Sequence, residues 1–148
     1  MARETKHIPN ERPSLPHRLA HAAYGFHTSL ESALHDTLVE LDLTLPLADA
    51  LWQLDPALGP LSRRELAERL RCDPSNVTFL VNRLEERRLV RRAPAATDRR
   101  VKALALTPAG TVARHRLIAA IAESSMFTRL TATQQRELAG LLGRCVAP

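Results

Sequence analysis

From Ser14 onward apolar residues return every third or fourth position. Leu15, Leu19, Ala22, Phe26, Leu30, Ala33, Leu34, Leu38 and Leu41 fall on one stripe, which predicts a long amphipathic helix. Gly25 within it costs about 1 kcal/mol relative to alanine, which a packed helix tolerates. Pro9, Pro13 and Pro16 leave residues 1–13 as an irregular arm. A second helix is predicted from Thr44 through Leu54, with Pro46 in its first turn and Asp55-Pro56 closing it. Ala57-Leu58-Gly59-Pro60 reads as a loop.

Ser62-Arg63-Arg64-Glu65 has capping-box spacing and predicts a third helix from Arg63 to about Leu70. Asp73-Pro74 starts a fourth, with an acidic N-cap followed by proline at the first helical position. Val77, Leu80, Val81 and Leu84 form its inward stripe. Only Arg71 and Cys72 separate the two helices, which makes them a helix-turn-helix candidate. After Leu89 the period drops to two. Val90–Ala93 and Val101–Leu106 read as short strands joined by a polar connection, Pro94–Arg100. Thr107-Pro108 caps a fifth helix expected to reach about Phe127, and Thr131 with Gln134 opens a last helix to Val146.

These elements predict a mainly α protein with a small β-hairpin wing. Residues 44–106 form the winged helix-turn-helix, and residues 14–43 and 107–148 form a helical region built from both chain ends. Such a region suits dimerisation, and a two-fold dimer matches a two-fold DNA site.

Composition narrows the partners. The 148 residues suffice for one domain with a real core. Two cysteines cannot make a disulfide framework and read as reduced thiols of a cytoplasmic protein. The longest apolar run, Leu117–Ala122, is too short to span a bilayer, and no apolar segment follows Met1–Asn10 as a secretory signal requires. Five aromatic residues argue against a base-stacking single-strand or RNA surface. The formal net charge is +5, but residues 62–102 alone carry +6, with 12 basic and six acidic side chains. All the excess lies over the helix-turn-helix and wing. Arginine outnumbers lysine 19 to 2, which suits bidentate contacts to phosphate and guanine, although a G+C-rich genome gives the same bias.

LSRRELAERLRCDPSNVTFLVNRLEERRLV (residues 61–90) and TDRRVKALALTPAG (residues 97–110) resemble the MarR (multiple antibiotic resistance regulator) family of winged-helix transcription factors. The second stretch carries the wing signature: an Asp, an Arg two residues on, then Leu-Thr and a Gly. Leu43-Thr44-Leu45-Pro46 and Leu51-Trp52 extend the likeness to nearly the whole chain. The resemblance implies a homodimer that lays its fourth helix in the major groove and its wing in the flanking minor groove. Ser75, Asn76, Thr78 and Arg83 match the reading and phosphate-positioning face. Asp98 and Arg100 match the wing pair, with Arg99 as an alternative reader. A guanidinium suits a narrow A·T minor groove. Arg63, Arg64, Arg91, Arg92 and Lys102 are candidate phosphate contacts. Two departures stand out: Asn82 where the family commonly has an acid, and Arg88 where it commonly has glycine. At a helix end Arg88 must avoid the left-handed conformation or bear about 1–2 kcal/mol for it.

Other features have plainer readings. His17 and His21 sit one helical turn apart, as metal ligands can, but no Cys, Asp or Glu completes a set nearby. No metal or other cofactor is expected, and no catalytic motif supports an enzyme. Cys72 reads as a residue packed inward rather than a redox sensor; Cys145 could meet its mate across a dimer axis. His21, Tyr24, Phe26, His27 and Trp52 read mainly as core. The resemblance also implies an effector pocket for small aromatic anions near the first two helices, with His21, Tyr24, His27 and Trp52 as candidate lining. The function expected is a sequence-specific DNA-binding regulator, a homodimeric repressor released by a small effector. A non-specific architectural DNA binder stays open, as does a winged-helix protein-interaction or ligand-binding module without DNA.

Overall fold

A computed structural model describes residues 13–94 and 102–146, with backbone alone at Pro94 and Lys102. Among the described residues, seven α-helices and three strands follow in the order α1 (Leu15–Glu40), α2 (Leu45–Gln53), β1 (Leu61–Ser62), α3 (Arg63–Leu70), α4 (Pro74–Glu86), β2 (Val90–Pro94), β3 (Lys102–Leu106), α5 (Pro108–Ala122), α6 (Ser125–Thr128) and α7 (Ala132–Val146). The chain divides into two compact units, residues 1–32 and 33–148.

In the first unit, the described part of α1 leaves Leu15, Leu19 and Tyr24 exposed, Tyr24 to 71%. His21 and His27 are exposed as well, and His27 Nε2 lies 3.5 Å from Glu31 Oε1 one turn along the same helix. The stripe read as core is therefore largely uncovered over this half of the helix. Tyr24, His21 and His27 are surface residues and not core, and Leu34 is the residue that α1 buries.

The second unit holds the core. Leu47 and Leu51 from α2, Leu66 from α3, Val77, Leu80, Val81 and Leu84 from α4, Val90 and Leu104 from the sheet, and Leu117 from α5 form one buried cluster. The three strands are antiparallel in the order β1-β3-β2, with Leu61 opposite Leu104 and Val90 opposite Leu106. Burial of these apolar side chains is the main force holding α2, α3 and α4 against the wing's base.

Most predicted elements stand within a residue or two, and the differences have physical causes. Strand β1 escapes sequence reading because two residues cannot display an alternation. The loop after α2 contains one 3-10 turn, Pro56–Leu58, started by the Asp55 carboxylate accepting from Ala57 N at 3.0 Å. The fifth helix stops at Ala122 and not Phe127, since Ser124 adopts an extended N-cap conformation and starts the short α6. Asp73 is the N-cap of α4, yet its side chain makes no capping bond; its carbonyl instead receives Asn76 N and Val77 N at 3.0 and 3.2 Å.

Three helices close in the same way. Asp42, Arg71 and Arg88 have φ of 51°, 50° and 57°. After each, the next amide bonds back five residues: Leu43 N to Leu38 O, Cys72 N to Ala67 O and Leu89 N to Leu84 O. This is the Schellman closure, in which glycine is the usual left-handed residue. A Cβ there costs about 1–2 kcal/mol, only partly offset by glycine's greater freedom when unfolded. Arg88→Gly is thus expected to stabilise the protein by about 1 kcal/mol, or about 2–4 °C in melting temperature. Thermal denaturation checks this, and an unchanged or lower midpoint would refute the strain at Arg88.

Candidate nucleic-acid interface

Helix α3 begins on a reciprocal capping box. Ser62 Oγ accepts from Glu65 N at 3.2 Å, and Glu65 Oε2 accepts from Ser62 N at 2.7 Å. Hydrogen bonding from Ser62, side chain first and backbone second, holds the Glu65 carboxyl below its usual range. This fixes Arg63 and Arg64 at the helix start, where cations oppose the helix dipole and gain from an anionic partner. Arg64 pairs with Glu68 at 3.1 Å. An open groove formed by α3, the turn and the start of α4 is lined by Arg63, Arg64 and Arg71, with Glu68, Asp73 and Thr78 among its other walls. The left-handed conformation of Arg71 is part of this turn. Nothing in an arginine signals it in sequence; only the two-residue spacing between the helices hints at so tight a reversal.

Helix α4 buries Val77, Leu80, Val81 and Leu84. With about 100° between successive residues, Ser75, Phe79 and Asn82 project on the opposite side. Ser75 and Asn76 are exposed in the first turn, while Thr78 is half-buried and its hydroxyl donates to Pro74 O at 3.0 Å. Arg83 pairs with Glu86 at 3.0 Å and its guanidinium carbon lies 5.5 Å from the centroid of the Phe79 ring. Phe79 is 56% exposed. The sequence reading missed it, although its place off the Val77-Leu80-Val81-Leu84 stripe is a legible signal.

The two wing arginines part company. Arg92 donates from Nε and Nη2 to the Glu85 carboxylate, both at 3.0 Å, tying β2 to the end of α4. These bonds raise the pKa of its guanidinium. Arg91 lines a different cleft, with Leu54, Pro60, Leu104 and Thr111. Neighbours on a strand point to opposite faces, so Arg91 and Arg92 project from opposite sides of the sheet. Asp98, Arg99 and Arg100 lie outside the described residues, as does the side chain of Lys102.

A family model described as "MarR family" matches residues 41–101, which run from just after α1 through β2 and stop short of β3. Over this stretch, less than half of its length, the chain is similar to the MarR family. It is 43% identical over 54 residues to the HTH-type transcriptional repressor MdtR of Bacillus subtilis, covering 36% of this chain and 35% of that relative. It is 36% identical over 86 residues to a putative transcriptional regulatory protein for the hcr operon of Thauera aromatica, covering 57% and 52%. The chain thus spans about a third and about half the length of these two relatives. A MarR family protein of Mycobacterium tuberculosis, solved in complex with DNA, superposes with a TM-score of 0.66 at 27% identity, covering 92% of this chain and all of that one.

The Leu-Thr and Gly of the MarR wing signature prove to be a clamp. Thr107 Oγ1 donates to Arg88 O at 2.6 Å, Thr107 N donates to Leu89 O at 3.0 Å, and Gly110 N donates back to Thr107 Oγ1 at 3.0 Å. Gly110 is buried, and a Cβ built on it would lie 1.9 Å from Leu89 O. Helix α5 therefore starts in direct contact with the backbone that ends α4. Further along α5, Arg114 is only 12% exposed and donates to Asp55 Oδ2 at 3.0 Å and Trp52 O at 3.2 Å. Arg87 likewise ties the end of α4 to Asp42, through its carbonyl and its carboxylate, both at 3.1 Å.

Trp52 is 37% exposed and lines an apolar cleft with Ile118, Ile121, Phe127, Leu138 and Leu142. His21, Tyr24 and His27 belong to the other compact unit. Cys72 is half-buried against the core, whereas Cys145 is exposed on α7. Among the described residues there is no group of three or more His, Cys, Asp or Glu able to hold a metal, and no helix is long and apolar enough to cross a membrane.

Proposed function

We propose that this chain is a sequence-specific, DNA-binding transcriptional regulator of the cytoplasm, not an enzyme, acting as a homodimer and as a repressor released by a small-molecule effector. The observation that carries the reading is the exposed face of α4, which presents Ser75, Asn76 and Arg83 beside a groove lined by Arg63, Arg64 and Arg71. That placement suits a helix lying in a major groove with flanking cations on phosphate. The DNA-bound relative supports it. Exposed apolar residues at both chain ends, Leu15 and Leu19 on α1 and Leu141 and Val146 on α7, suit burial against a second copy. Two recognition helices would then meet half-sites about 10 base pairs apart.

Selection of bound duplexes from a random DNA pool, followed by footprinting, tests this. The expected outcome is a palindromic consensus with a protected footprint; uniform protection without a consensus would favour an architectural binder, and no shift at moderate salt would overturn DNA binding. In the wing, Arg100→Ala is expected to weaken operator binding by about 1–3 kcal/mol and reduce the salt slope by up to about one unit. Equal affinity and slope for both proteins would sink the wing assignment.

For the effector, the Trp52 cleft is the preferred position, because it is apolar and adjoins the Arg114 contact with the end of α2. A small aromatic acid is expected to change the fluorescence of this single tryptophan and lower operator affinity. A panel that changes neither would count against the cleft. His21, Tyr24 and His27 are not assigned to it.

A further inference from the structure

We infer that Phe79 is a specificity-determining residue whose ring reads the C5-methyl groups of thymine in the major groove, with Arg83 holding the ring in place. The inference rests on the DNA-binding reading above and extends it to a base preference.

Position is the first support. Every other large apolar residue of α4 belongs to the buried stripe, whereas Phe79 sits across the helix from it, between Ser75 and Asn82 along the exposed side. A helix docked by this side places the ring against base edges before any other apolar group. Geometry is the second. The Arg83 guanidinium stacks near the ring at 5.5 Å, and Glu86 holds that guanidinium at 3.0 Å. The three side chains stand at successive turns, so the ring is braced from its C-terminal side and does not have to be ordered on docking. An arginine over an aromatic face is itself a favourable pair, stronger once water is excluded.

Chemistry supplies the third support. Guanine, cytosine and adenine offer only donors and acceptors in the major groove, and thymine alone adds a methyl group. A phenyl ring has neither donor nor acceptor, so it discriminates by covering that methyl and by leaving the polar groups of other bases unpaired. Ser75, Asn76 and Asn82 around it can bond neighbouring edges, asparagine with adenine in particular. The face as a whole is thus suited to A·T pairs near the centre of each half-site, despite the arginine-rich composition around it.

The test uses the full chain and a duplex selected from a random pool. Each thymine is replaced in turn by deoxyuridine, which removes the methyl and leaves base pairing intact, and affinity is read by mobility shift. At one or two thymines per half-site the wild type is expected to lose about fourfold, the value of one buried methyl. Phe79→Ala is expected to bind the unmodified duplex more weakly and to be indifferent to deoxyuridine at those same positions. Because Phe79 is exposed, its removal should leave the melting temperature nearly unchanged. Indifference of the wild type to deoxyuridine at every thymine would overturn the inference, as would a Phe79→Ala protein with undiminished sensitivity, while leaving DNA binding itself standing. Failure of the wild type to select any duplex would remove both.

Discussion

Gly110→Ala is expected to destabilise the protein by at least about 3 kcal/mol, beyond the usual range for overpacking, because the atom in the way belongs to the main chain. The added Cβ would stand 1.9 Å from Leu89 O, a carbonyl that already accepts from Thr107 N at 3.0 Å. Flexible side chains relieve such clashes by changing rotamer, but a carbonyl at the end of a helix cannot. Alanine's better helix propensity returns only about 1 kcal/mol, too little to offset the overlap. For a chain of this size the melting temperature should fall by about 6–12 °C. Denaturant and thermal unfolding check the size of the loss. A variant as stable as the parent would show that α5 and the end of α4 are not in backbone contact. Any folded Gly110→Ala protein should also bind operator more weakly, since relief requires the two helices to separate.

Leu84→Ala is expected to cost about 2–5 kcal/mol. Leu84 is fully buried in the cluster that joins α2, α3 and α4, and its carbonyl receives Leu89 N at 2.9 Å in the helix-ending turn. The substitution therefore leaves a cavity under the exposed reading face and loosens the apolar side of that turn, where Leu89 packs against the core. Equilibrium unfolding in urea should show a lower midpoint with an unchanged slope. Where the variant remains folded, its preferred operator sequence should be that of the wild type, because Leu84 points into the core and away from the proposed reading face. An altered consensus would place Leu84, or the helix face assigned here, wrongly.

How much of this was legible in the sequence depends on the range of the forces involved. Helix starts are local, and Ser62 with Glu65, Thr107 with Pro108 and Thr131 with Gln134 announced theirs within four residues. Helix α5 shows the limit: its apolar pattern runs on past Ala122, and only the conformation of Ser124 divides it. The clamp was visible as Leu-Thr and Gly, but its meaning depends on Leu89, some twenty residues away. Charge counting located the basic block without revealing that Arg92 is engaged by Glu85, or that Arg91 faces the other way. Phe79 could have been singled out from the stripe, since an apolar residue on the wrong face of an otherwise regular helix calls for a reason. Tyr24 likewise lies off the stripe of α1, so its surface position was legible; the exposure of Leu15 and Leu19 had no such signal, because the stripe reads the same whether its cover comes from this chain or another.

Ser62 belongs to two elements at once. It is the last residue of β1, opposite Ala103 of the wing's inner strand, and the N-cap of α3. No linker intervenes between the sheet and the helix that carries Arg63 and Arg64. Those cations are thus preorganised by the ladder and the capping box together, and little backbone entropy remains to be lost when they meet an anion. Affinity gained this way should appear mainly as slower dissociation, with the encounter rate left to the overall field of the basic block.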